Sequence, residues 1–64
     1  MTQKEFMNHC FAAGGNWTAM LWSGVENLHK KGDKTFEEVY QRYKDIEEVD
    51  FLELWAAIKK HLED

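Results

Sequence analysis

An all-α fold, a compact bundle of about four short helices, is the class this sequence predicts, and three observations predict it. Apolar residues recur at helical i, i+3, i+4, i+7 spacing in four separate stretches, and nothing alternates with period two over a useful length. Each stretch is preceded by a Ser/Thr/Asn/Asp-type capping residue, and the first two are followed by glycine. The chain has no proline to interrupt a helix interior. With 64 residues there is room for one core only, so residues 1–64 read as a single helical domain.

Helix 1 is predicted over about residues 3–13. Thr2 and Glu5 fit a capping box, each side chain satisfying an orphan backbone donor, and Met1 with Phe6 can form the hydrophobic staple. Phe6, Met7, Cys10 and Phe11 make one apolar face. Gly14-Gly15 supplies the stop, with at least one of the two expected at positive φ.

Helix 2 is predicted over 17–31, with Asn16 as its N-cap. Trp17, Met20, Leu21, Gly24, Val25 and Leu28 share a face. Gly24 costs roughly 1 kcal/mol against Ala in a helix interior, which suggests close approach of another backbone or a kink. His29, Lys30 and Lys31 suit the negative end of the helix dipole, and Gly32 follows.

Helix 3 is predicted over 36–46, opened by a Thr35–Glu38 box and carrying Phe36, Val39, Tyr40, Tyr43 and Ile46. Helix 4 is predicted over 51–62, opened by an Asp50–Glu53 box with Val49 and Leu54 as its staple. Its stripe is Phe51, Leu54, Trp55, Ile58 and Leu62.

Composition narrows the class further. Hydrophobic residues make 44% of the chain, too many for a disordered tail. No apolar run approaches the roughly 18 residues of a membrane span, and Met1–Glu5 does not resemble the start of a signal peptide. One cysteine excludes an internal disulfide. These features predict an intracellular protein without a membrane role. The charge is uneven. Residues 1–32 hold three lysines against two glutamates, whereas residues 33–64 carry a net −5 that brings the whole chain to −4. Asp45, Glu47, Glu48, Asp50 and Glu53 form the densest negative stretch. It reads either as a solvated face or as a patch for a basic partner.

The residues offer no catalytic set. Cys10 lies on an apolar face and reads as a small hydrophobe, and a nucleophilic cysteine would need an aligned base. His9 and Cys10 are adjacent, not at the i, i+3 or i+4 spacing that helical metal ligands use. No cofactor and no metal are therefore predicted, and no enzymatic activity. Two candidate sites remain. Gly14, Gly15, Asn16 and Trp17, with Lys30 and Lys31, could form an anion or ligand pocket at a helix N-terminus. Met20, Trp22 and Tyr40, with Asp45, Glu47, Glu48 and Asp50, are candidate partner or oligomer contacts.

Oligomer state follows from the apolar load. Phe6, Phe11, Trp17, Leu21, Leu28, Phe36, Val39, Tyr43, Trp55, Ile58 and Leu62 would nearly fill one narrow core. Met7, Met20, Trp22, Tyr40 and Leu52 are then left near the surface. Such a surplus predicts a two-fold homodimer with Trp22 near the contact.

The segment Gly14-Gly15-Asn16-Trp17-Thr18-Ala19-Met20-Leu21, with Ser23-Gly24 following, resembles small uncharacterised proteins of bacteriophages and mobile elements. The resemblance covers roughly residues 1–28 and brings no catalytic residue with it. It implies a bacterial cytoplasm as the setting. There a small acidic protein is expected to act as a stoichiometric inhibitor of a host defence protein. The expectation is thus a non-enzymatic protein-binding module working as a homo-oligomer. The alternatives are a sponge for an anionic signalling nucleotide and a small DNA-binding regulator. Nucleic acid is disfavoured as a partner by the −4 charge.

Overall fold

The computed structural model describes residues 1–11 and 15–63. Four helices follow in order, α1 (Gln3–Phe11), α2 (Trp17–Lys30), α3 (Glu37–Tyr43) and α4 (Phe51–Lys59), and no strand occurs among the described residues. The longest, α2, packs against each of the other three, and α3 also meets α4.

N-caps form at three helix starts as expected, although at α4 the Glu53 carboxylate turns to Tyr43 and Arg42 and only the Asp50 half of the expected box is made. Thr2 Oγ1 accepts from the Glu5 N–H at 3.2 Å while Glu5 Oε1 accepts from the Thr2 N–H at 3.1 Å, completing the box. Asn16 Oδ1 accepts from the Ala19 N–H at 2.8 Å, and Asp50 Oδ2 from the Glu53 N–H at 2.9 Å. At the end of α2, Gly32 takes φ +87°. The Gly32 and Asp33 N–H groups donate to the carbonyls of His29 and Leu28, which satisfies two orphan acceptors.

The third start differs from expectation. Its N-cap is Phe36, with no side-chain cap bond, so the Thr35–Glu38 box does not form. Thr35 instead donates its N–H to Asp33 Oδ1 at 2.8 Å in an Asx turn. Phe36 is buried, with its ring centroid 4.9 Å from that of Phe6, and this packing fixes where α3 begins.

The helices are also shorter than predicted. Past α3 the Ile46 N–H reaches only to Tyr43, and past α4 the His61 and Leu62 N–H groups reach to Ile58 and Lys59. These i to i+3 bonds tighten the chain into turns. Lys31 caps α2. The predicted end of helix 1, and Gly14, lie outside the described residues; Gly15 takes φ +91°, as one of the pair was expected to do.

The core is built from Phe6 and Cys10 of α1, Met20, Leu21, Val25 and Leu28 of α2, Phe36, Val39 and Tyr43 around α3, and Leu54 and Ile58 of α4. Gly24 is buried where α1 crosses α2. A Cβ there would lie 2.7 Å from Cys10 Sγ and 3.3 Å from Phe6 Cε1 and Cζ. Close approach was expected, but it is side chains, not a backbone, that fill the space.

Four residues expected in the core are outside it: Trp55 and Leu62 pack half-buried against its edge, and the other two are exposed. Phe11 is 55% exposed and Trp17 is 54% exposed. They are the last residue of α1 and the first of α2, on either side of the corner that these two packed helices make. Met20, expected near the surface, is buried in the core.

Candidate interaction groove

The segment after α3 and the first turn of α2 face one another across an open groove of about 790 Å³. Trp17, Trp22, Tyr43, Ile46, Val49 and Phe51 give it apolar walls. Asn16 holds one end of it by capping α2, which fixes the direction of Trp17. Trp22 is half-buried and stacks on Tyr40 with centroids 5.6 Å apart and planes inclined by 8°. Tyr40 stacks in turn on His29 at 3.8 Å. His29 Nδ1 lies 2.7 Å from Glu37 Oε2 at the far end of this array.

A second, smaller groove of about 410 Å³ adjoins the first, and Trp17 and Phe51 line both. Met7, Leu21, Trp55 and Gln3 complete it. Trp55 is half-buried, with Lys59 Nζ 5.9 Å from its ring centre. Phe11 sits beside this path, its ring 5.7 Å from that of Trp17 in an edge-to-face pair.

The border is acidic. Glu47 and Glu48 line the groove, and exposed Asp45 and Asp50 stand next to them in sequence. Lys44 is the one cation among its described lining residues. Nearby, Glu53 Oε1 accepts from the Tyr43 hydroxyl at 3.2 Å and lies 3.4 Å from Arg42 Nη2, tying α4 to α3. Burial, more than the neighbouring charges, pushes the Tyr43 hydroxyl above its ordinary pKa.

The structure therefore redistributes the predicted site residues. Trp17 and Asn16, expected in an anion pocket, share a groove with Glu47 and Glu48, expected in a partner patch. Lys30 and Lys31 do not join them. They lie at the other end of α2, about 20 Å away at 1.5 Å per helical residue. The anion pocket is accordingly not assembled, and negative charge borders the place where an anion would sit. Gly15 is exposed at the corner, and Gly14 is not described. Met20 is withdrawn as a contact by its burial. Tyr40 backs Trp22 and does not line the groove. Phe51, Ile46 and Val49 were not among the expected contacts.

Elsewhere the chemistry is muted. Cys10 is buried, and that burial pushes its thiol up to about 11, far from a thiolate at neutral pH. No group of three His, Cys, Asp or Glu residues suited to a metal ion occurs among the described residues. No helix among them is long and apolar enough to cross a membrane. No protein-family model, curated protein or solved structure matches the chain.

Proposed function

We propose that the chain is a small, non-enzymatic protein-binding module that seats its partner in the groove beside Trp17. One observation carries this reading. A large aromatic side chain more than half exposed stands in a concave apolar path with charge on its border. Trp and Tyr anchors ringed by polar residues are a common arrangement at protein interfaces. The resemblance of residues 1–28 to phage and mobile-element proteins supports a bacterial cytoplasmic setting and a role as a stoichiometric inhibitor of a defence protein.

The test is comparative capture from bacterial lysate with the parent chain and with Trp17→Ala. The reading expects a stoichiometric partner that the parent retains and the variant loses, with both chains equally helical. A partner held equally by both would remove the groove from the account.

Self-association is the second reading, favoured by Leu52, which is 71% exposed and outside both grooves. Sedimentation at high micromolar concentration distinguishes it. A 7.6 kDa species there excludes the homodimer.

A further inference from the structure

Resting on the groove reading, we infer that the occupant is a basic amphipathic helix of a partner protein, with its apolar stripe on Trp17, Phe51 and Ile46 and its Lys/Arg side chains against Glu47 and Glu48. Charge, backbone chemistry and size each point to that partner.

The first is charge. From Lys44 to Asp50 the chain carries Asp45, Glu47, Glu48 and Asp50 against Lys44 alone, and all five are exposed. A cationic border on the partner complements this rim, and an anionic one is repelled. The same charges argue against a second copy of this chain as the occupant. A two-fold contact through the groove would set Glu47 and Glu48 of each copy near those of the other.

The second is the backbone of the occupant. No sheet edge exists among the described residues, so an extended peptide gains no strand pairing here. Those of its N–H and C=O groups that face the apolar walls would lose water without gaining partners, which is costly. A helix brings its own hydrogen bonds and presents only side chains.

The third is size. The two grooves lie side by side, with Trp17 and Phe51 lining both, on a molecule of 26 × 22 × 21 Å. A helix of about 14 residues, about 21 Å long, spans such a face, offering apolar anchors at i, i+3/i+4 and i+7.

The test uses three synthetic peptides titrated against the full chain by calorimetry. One is helical, with a Leu/Trp stripe flanked by lysines. The second replaces the lysines by glutamates. The third keeps the lysine composition but carries prolines that forbid a helix. The lysine helix is expected to bind one to one and at least about tenfold tighter than either other peptide, and to weaken as salt rises. Glu47→Lys/Glu48→Lys should cost about tenfold, while Glu38→Lys/Glu63→Lys, with the same change in net charge, should leave the affinity near that of the parent. Equal binding of the glutamate peptide overturns the charge assignment, and equal binding of the proline peptide overturns the helix. Equal losses from both double variants reduce the attraction to net charge and overturn the site. If no peptide binds while Trp17→Ala still abolishes capture of the lysate partner, the basic-helix occupant is wrong and the groove reading stands. If Trp17→Ala leaves that capture intact, the groove reading itself has failed.

Discussion

Phe11 and Trp17 meet edge to face across the α1–α2 corner, with their rings inclined by 68°, yet each leaves more than half of its surface in solvent. Such a pair contributes about 0.5–1.5 kcal/mol beyond area burial when well packed. Here it holds an apolar surface open as much as it closes the fold.

Stability and binding should therefore separate. Trp17→Ala is expected to cost about 1–2 kcal/mol in urea denaturation, because only about half of the residue is withdrawn from water. Phe6→Ala, at a fully buried ring packed on Phe36, should cost about 3–5 kcal/mol. Equal losses would mean that Trp17 belongs to the core after all.

Gly24 gives a prediction opposite in sign to helix propensity. Ala is better than Gly in a helix by roughly 1 kcal/mol, but its Cβ would stand 2.7 Å from Cys10 Sγ. Gly24→Ala should thus destabilise by about 1–3 kcal/mol, as overpacking does. Cys10→Ala removes the offending sulfur, so the double variant should recover much of that loss. Strictly additive effects in this cycle would show that the two residues do not touch.

Asp50→Ala should lower stability by about 0.5–2 kcal/mol, since Asp50 Oδ2 holds the Glu53 N–H at the start of α4. Asp50→Asn should retain most of it. A melting temperature unchanged by the alanine would deny Asp50 its capping role.

Alkaline pH should weaken the fold. Cys10 and Tyr43 both have raised pKa values, with burial the leading cause in each. A folded chain that keeps protons the unfolded chain releases loses stability as pH rises. The thiol contribution is fully present below its ordinary value of 9.0 and is lost as pH climbs through about 11. The tyrosine contribution begins to fall above 10.0. Thermal melts across this range should show a decline that is shallower in Cys10→Ala, measured from that variant's own neutral-pH stability. Parallel slopes would remove the thiol as a cause.

What the sequence made legible was local. Thr2, Asn16 and Asp50 cap through contacts within a few residues, so their roles follow from spacing alone. The start of α3 did not, because Asp33 captures the Thr35 N–H and the burial of Phe36 against Phe6 sets the boundary. Helical periodicity placed Phe11 and Trp17 on the apolar faces of their own helices. It carries no information on whether another helix covers those faces at the corner. For the same reason Met20 looked superficial, although it is buried. The meeting of Asn16 and Trp17 with Glu47 and Glu48 depends on how α2 lies against the α3–α4 connection, a relation between distant segments that no local spacing encodes. The two halves of the groove were visible separately, as an aromatic corner and an acidic stretch, and only the fold joins them.

The most direct test of the groove is a two-dimensional NMR titration of the full chain with the lysine-flanked helical peptide, followed at the backbone amides and at the indole N–H of each tryptophan. The account predicts saturable shifts at Trp17, Trp22, Ile46, Glu47, Glu48 and Phe51, with Lys30, Lys31 and Glu38 unmoved. Shifts confined to the α3 face, or spread evenly over every acidic residue, would contradict it.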